Sequence, residues 1–214
     1  MGNGGIMLYK YHEIESTQDK IKELYAIGKA QFGDGVIAQS QTAGRGRFGR
    51  SFYSPPKSGI YLSVLLPYDN SELLTVGAAV AVLQAIEKVT GQKADVKWVN
   101  DVYLNGKKVA GILAEAVVDK DGNPAAVILG VGINIVSPIS DFPEEIKDKA
   151  GSLISGNYAD TISMTDLDSL REQLTSCLLE CLANLSQKTR DKTFFTEYKA
   201  RLINPLDLPP GLLD

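Results

Sequence analysis

From Gln41 to Arg50 the chain reads Gln-Thr-Ala-Gly-Arg-Gly-Arg-Phe-Gly-Arg, with three glycines and three arginines in the seven residues 44–50. Glycine allows left-handed backbone and close approach of the main chain to a ligand. Arginine carries permanent charge on a planar fork of donors that suits carboxylate and phosphate oxygens. Three such charges in one short loop repel one another. The composition therefore predicts a loop that is mobile when empty and closes over an anion. The blander alternatives are a solvated basic loop or a nucleic-acid contact. The chain as a whole disfavours the second: 26 acidic against 22 basic residues leave a net charge of -4, whereas nucleic-acid binders carry a basic face. The pattern points to a small anion held locally within an acidic protein.

A second set of polar residues sits inside apolar runs. Lys97, Asn100, Asp101, Lys108 and Asn134 interrupt segments that otherwise read as strands. Unpaired buried charge is expensive, so these groups need partners or a ligand; a mutual Asp101–lysine pair is the simplest structural answer. Gly111, Gly130 and Gly132 weaken the same strands, as glycines do where a ligand lies against the backbone. Ser16-Thr17-Gln18-Asp19 opens a helix, where Ser16 serves as an N-cap and Asp19 complements the helix dipole. A helix start is also a place to bind polar ligand groups.

Other chemistry is excluded by scarcity. The single histidine, His12, lies in the alternating stretch Leu8–Ile14 and reads as a strand residue. A Ser-His-Asp triad has only that histidine to use, and a multi-histidine zinc site is impossible. Cys177 and Cys181 stand four apart on one face of a predicted helix, which suits buried thiols better than a disulfide or metal site. That usage is consistent with a reducing cytoplasm. The start of the chain lacks the charged and apolar regions of a signal peptide. No 18-residue apolar run stands out, so no membrane-crossing helix is expected.

The elements that must position these residues follow from periodicity and turn signals. Residues 6–14 read as a strand, followed by a helix from Ser16 to about Gln31. A strand over 36–41 enters the arginine-rich loop, which runs to about Ser58. Ile60–Leu66 is a strong strand, and a slender helix capped by Ser71 reaches Thr90. Residues 96–136 read as three consecutive antiparallel strands, joined at Asn105-Gly106, the strongest short hairpin signal, and at Asp121-Gly122-Asn123. After Pro143 the chain turns helical, over 144–150, from Thr165 with Asp168 to about Ser186, and over 191–202. A hydrophobic fraction of 44% across 214 residues supports one sizeable core. One domain over 1–202 with a Pro-rich tail over 203–214 is the expected organisation.

Five segments, in order, resemble the catalytic domain of biotin–protein ligases. Ser16-Thr17 is similar to that family's Ser-Thr-Asn segment, and Gln41–Arg50 to its Gly/Arg-rich loop. Lys97-Trp98-Val99-Asn100-Asp101 resembles Lys-Trp-Pro-Asn-Asp. Lys108–Glu115 is similar to Lys-x-Ala-Gly-Ile-Leu-x-Glu, and Gly130–Asn134 to Gly-x-Gly-Ile-Asn. The departures are Gln18 for Asn, Phe52 for Trp and Val99 for Pro.

The resemblance implies an α+β fold: a mixed, mostly antiparallel sheet flanked by helices, like that of class II aminoacyl-tRNA synthetases and lipoyl ligases. It implies that biotin and MgATP give biotinyl-5′-AMP, which then acylates a lysine of a biotin carboxyl carrier protein of acetyl-CoA carboxylase. Ser16, Thr17, Gln18, Gln41, Gly111 and Leu113 would bind biotin. Arg45, Gly46 and Arg47 would close over biotin and the phosphates. Lys108 would hold the biotin carboxylate, with Lys97 supporting phosphate charge. Arg50, Phe52, Asn100, Gly130, Gly132 and Asn134 would contact the nucleotide, and Asp101 would help hold Mg2+ or position a lysine. A helix-turn-helix domain and a C-terminal β-barrel, present in some members, are not expected here. Neither nucleic acid nor a membrane is an expected partner; a homodimer is. The nearest alternatives are a lipoyl or octanoyl ligase and a biotin-binding module without turnover.

Overall fold

The computed structural model describes residues 7–68, 73–137, 142–155, 162–183, 185 and 192–204. The expected Ser71 cap and most of the expected tail, from residue 205, lie outside them. Among the described residues, seven strands form a mixed sheet in the spatial order Leu8–Ile14, Gly35–Gln41, Gly59–Pro67, Pro124–Asn134, Lys107–Val118, Asp101–Leu104, Asp95–Lys97. The chain divides into two compact units, residues 1–70 with 113–132 and residues 71–112 with 133–214.

In the first unit, β1 (Leu8–Ile14) pairs parallel with β2 (Gly35–Gln41), and β2 pairs antiparallel with β3 (Gly59–Pro67). Parallel neighbours need a crossover, and helix α1 (Thr17–Ala26) supplies it. Ile21 and Leu24 of α1 bury against Val36, Leu65, Val117, Ala126 and Ile128, with Tyr9, Tyr11 and Tyr25 at the margin. Each fully buried aliphatic side chain contributes about 1.5–3 kcal/mol. An exposed ion pair contributes about 0–1 kcal/mol. The core therefore places the ends of α1 and β2, and the polar groups there only refine the geometry. His12 is exposed on β1, away from any catalytic arrangement.

Helix α1 stops at Ala26 rather than near Gln31. Gly28 takes φ +70°, its N–H reaches the Tyr25 carbonyl at 3.0 Å, and the Lys29 N–H reaches the Leu24 carbonyl at 2.8 Å. This is a glycine-terminated helix end, and Gly28 was its signal in the sequence.

In the second unit, helix α2 (Leu73–Thr90) packs on α4 (Met164–Leu182) and on α5 (Phe195–Ala200). By length and composition α2 is apolar enough to cross a membrane, contrary to the expectation that no such segment exists. Its charges, Glu87 and Lys88, stand in the last turn. Eleven of its eighteen residues are buried, and a helix apolar all round is what a protein core requires. The start of α4 also differs from expectation: Ser163 Oγ, not Thr165, accepts the Asp166 N–H at 3.1 Å. Cys177 and Cys181 stand on α4 and form no disulfide.

The expected strand over 96–104 is two strands. β4 (Asp95–Lys97) and β5 (Asp101–Leu104) pair antiparallel around a turn at residues 98–100. β5 then continues through Asn105 and Gly106, both at positive φ, into β6 (Lys107–Val118), as a two-residue hairpin of this composition demands. β6 and β7 (Pro124–Asn134) each contribute residues to both units. A short helix, α3 (Glu144–Lys147), follows.

Nothing lies within 4 Å of a Cβ built on Gly28. Gly28→Ala should therefore cost only the left-handed backbone penalty, about 1–2 kcal/mol, read as a lower denaturant midpoint. An unchanged midpoint would refute Gly28 as the stop.

Candidate functional site

The first unit carries a buried polar chain with every donor used in one direction. Ser63 Oγ donates to Thr17 Oγ1 at 2.8 Å, and Thr17 Oγ1 donates to Gln41 Oε1 at 3.1 Å. Gln41 Nε2 donates to Ser54 Oγ at 2.9 Å, and Ser54 Oγ donates to the Phe52 carbonyl at 2.9 Å. Gln41 Oε1 also accepts the Thr17 N–H at 2.8 Å, so the first turn of α1 is capped from β2. Ser16 holds the N-cap position but makes no side-chain capping bond. Its hydroxyl, in a residue 2% exposed, has no hydrogen-bond partner among the described residues; neither has Oε1 of Gln18, 4% exposed. An enclosed, unsatisfied polar atom costs about 1–3 kcal/mol, so this pair is where a ligand with its own donor and acceptor would gain most.

The arginine-rich loop is tied to that helix start. Arg45 lies 2.8 Å from Asp19 Oδ1 and 2.6 Å from Glu115 Oε2. Glu115 Oε2 also accepts from Gln18 Nε2 at 2.9 Å. The expected self-repulsion of the loop is thus offset by two carboxylates, which the loop's own composition does not reveal. The three partners are 39%, 50% and 39% exposed for Arg45, Asp19 and Glu115. Each pair is worth only about 0–1 kcal/mol, weak enough for a ligand to displace.

Within the loop, the Gly46 N–H reaches the Arg50 carbonyl at 2.7 Å, and the Phe52 N–H reaches the Gly44 carbonyl at 2.9 Å. The Arg47 guanidinium lies 4.9 Å from the centre of the Phe48 ring, and Phe48 is 84% exposed. Arg50 is exposed. A cleft of about 290 Å3 beside the loop is lined by Gln41, Thr42, Phe52 and Tyr53 among others; Ser16, Thr17 and Gln18 do not line it.

Two glycines expected to lie against nucleotide are covered by protein instead. A Cβ on Gly132 would meet the Phe52 ring at 2.4 Å, and one on Gly130 would meet the Gln18 side chain at 3.1 Å. Both are indeed places of close approach, but the approaching groups are side chains of the same unit.

In the second unit, Lys108 Nζ lies 2.6 Å from Asp101 Oδ1. A register shift makes this possible. Asp101 pairs with Gly111 and Val102 with Ala110, but Tyr103 pairs with Lys108. β6 therefore carries one extra residue at this step. Cross-strand partners share a face, and side chains alternate along a strand. Without the bulge Lys108 and Gly111, three apart, would face opposite ways; with it, Lys108 joins the face of Asp101 and Tyr103. Bulges re-aim side chains in this manner, often beside active sites. Burial, and then the charge of Asp101, push the Tyr103 phenol up.

The turn over residues 98–100 is held from several sides. The Asn100 amide donates to the Ile112 carbonyl at 2.8 Å, and the Ile112 N–H reaches the Asn100 carbonyl at 3.0 Å. Tyr198 Oη donates to the Val99 carbonyl at 3.2 Å, with its ring edge-on to Trp98. The Asn134 amide donates to the Gly151 carbonyl at 2.9 Å. Asn100 and Asn134, expected to face a base, thus serve main-chain carbonyls. Lys97 is exposed beside the turn, not buried in a strand as expected. Among the described residues no group of three or more His, Cys, Asp or Glu side chains could hold a metal. Asp101, expected to help hold Mg2+, is a single carboxylate already paired to Lys108. Gly111 and Leu113 are half-buried on β6.

Sequence reasoning missed Asp19 and Glu115 as partners of the loop, and Tyr198 as a support of the turn. A carboxylate within an apolar strand was the available signal for Glu115.

The chain is similar to known proteins in sequence and in fold. A family model described as the biotin/lipoate A/B protein ligase family matches residues 11–134. The bifunctional ligase/repressor BirA of Bacillus subtilis is 42% identical over 147 residues, 67% of this chain and 45% of that protein. A biotin–[acetyl-CoA-carboxylase] ligase of Mycobacterium tuberculosis is 34% identical over 161 residues, 72% of this chain and 57% of that one. The chain thus spans about half the length of these curated relatives. A structure of biotin protein ligase from Aquifex aeolicus in complex with biotin and ATP superposes with a TM-score of 0.74 at 30% identity, covering 92% of this chain and 78% of that one.

The Gly132–Phe52 contact yields a test. Gly132→Ala should cost about 1–3 kcal/mol by overpacking, and Phe52→Ala should relieve part of that cost, because neighbouring sites couple. Denaturant midpoints of both single variants and the double variant measure it; strict additivity would refute the contact.

Proposed function

The chain belongs to the biotin/lipoate A/B protein ligase family, and from that premise we propose that it is an ATP-dependent ligase that activates biotin as biotinyl-5′-AMP and transfers it to a lysine of a biotin carboxyl carrier protein. The observation that carries this proposal is a pair of enclosed atoms at the start of α1, Ser16 Oγ and Gln18 Oε1, that have no hydrogen-bond partner among the described residues. The ureido ring of biotin brings a carbonyl for the serine hydroxyl and N–H donors for the glutamine oxygen. The dithiolane of lipoate and the chain of octanoate bring neither.

In the first step a carboxylate oxygen of biotin attacks the α-phosphorus of ATP. A C–O–P anhydride forms, the bond between the α-phosphorus and its bridging oxygen breaks, and pyrophosphate leaves with the Mg2+ that accompanied the substrate. Two anions must approach, so fixed cations lower the barrier. Lys108 exchanges Asp101 for the biotin carboxylate and the reacting phosphate. Arg47 and Lys97 meet the remaining phosphate charge. Arg45 closes with its loop over biotin and the phosphates, which shields the anhydride from water. In the second step the carrier lysine attacks the acyl carbon and AMP leaves. A cytoplasmic setting would supply ATP and carrier.

Mass spectrometry of small molecules retained after incubation with biotin, ATP and Mg2+ should find biotinyl-AMP. A lipoyl or octanoyl adenylate in parallel incubations, with none from biotin, would overturn the assignment. Lys108→Ala should lower adenylate formation about 100-fold or more, while the ligand-free melting temperature changes little. A large fall in melting temperature would make the Lys108–Asp101 pair structural instead.

A further inference from the structure

Glu115 does more than balance the charge of Arg45. A carboxylate accepts hydrogen bonds and donates none. Its Oε2 takes Gln18 Nε2 at 2.9 Å and Arg45 Nη2 at 2.6 Å. The orientation of a glutamine amide is decided by such partners. With its nitrogen committed to Glu115, Gln18 must turn its oxygen the other way, and that oxygen is the enclosed atom without a partner. It lies against Gly130, where a Cβ would stand 3.1 Å from Oε1.

We propose that Glu115 is a specificity-setting positioning residue: by accepting from both Gln18 and Arg45 it presents Gln18 Oε1 as an acceptor, so that the site selects a ligand ring carrying N–H donors. The proposal rests on the biotin assignment above and deepens it. The loop is held through Arg45 by the same carboxylate. One group thus sets both the polarity of the head-binding end and the resting position of the loop. A residue of equal size that can donate would undo the first effect: Glu115→Gln offers an N–H to Gln18 Oε1 and lets the amide reverse.

The test is a double-mutant cycle on biotin affinity, by calorimetry without ATP, using wild-type protein, Glu115→Gln, Gln18→Leu and the double variant. Each single variant should raise the Kd for biotin about tenfold or more. The double variant should be no weaker than the weaker single one, because both remove the same acceptor. Melting temperatures should stay near the wild-type value, which separates positioning from folding. A biotin Kd for Glu115→Gln within twofold of wild type would overturn the proposal, as would losses that multiply in the double variant. Should Gln18→Leu fold poorly, Gln18→Met, which also removes the acceptor and keeps the length of the side chain, takes its place with the same expectation. Failure of the underlying ligase assignment has another signature: wild-type protein that binds no biotin.

Discussion

A cationic loop can rest beside a binding site only if something offsets its charge while the site is empty. Here that constraint is met by Asp19 and Glu115, which hold the Arg45 guanidinium at 2.8 and 2.6 Å. The pairs are exposed and individually weak, so they locate the loop without locking it. The same Glu115 oxygen holds the Gln18 amide, which places the loop and the first turn of α1 under one group. Strong buried pairs would have served worse, because each would have to be broken at a cost of several kcal/mol to admit a ligand.

The remainder of the first unit supports that arrangement. The hydrogen-bonded chain from Ser63 through Thr17, Gln41 and Ser54 to the Phe52 carbonyl leaves Ser16 Oγ and Gln18 Oε1 outside it. A core that satisfies nearly all its polar groups makes the unsatisfied ones informative. In the proposed reaction they receive the ureido ring, and the ligand completes a network that the protein alone leaves open.

The second unit fixes the place of a lysine through its partners. Lys108 is paired with Asp101 across the bulge between β5 and β6, and the turn before Asp101 is fixed by Asn100, Tyr198 and Trp98. Burial pushes the Tyr198 phenol far up, so it stays protonated and keeps donating to the Val99 carbonyl. The C-terminal helix, which shows no chemistry of its own, thereby supports the segment that carries Lys97 and Asp101.

Much was determined by local sequence. The β1-α1-β2 order follows from alternation, then helical spacing, then alternation; the Asn105-Gly106 hairpin follows from its demand for positive φ; and the Gly/Arg composition marks residues 44–50 as a cationic loop. The family resemblance rests on short segments that keep their order along the chain. What sequence could not supply depends on contacts between residues far apart in the chain. Glu115 meets Arg45 across 70 positions, and Tyr198 meets Val99 across 99. The turn over 98–100 was hidden because its apolar residues, Trp98 and Val99, mimic a strand until Tyr198 is packed against them. The face of Lys108 was beyond reach for a sharper reason. Period-two alternation places it opposite Gly111, and one extra residue in β6, set by pairing with β5, reverses that parity. Residue types and their spacing along the chain thus named the chemistry, whereas cross-strand register and long-range packing decided which of those groups meet, because both are settled only when distant segments bury their apolar faces together.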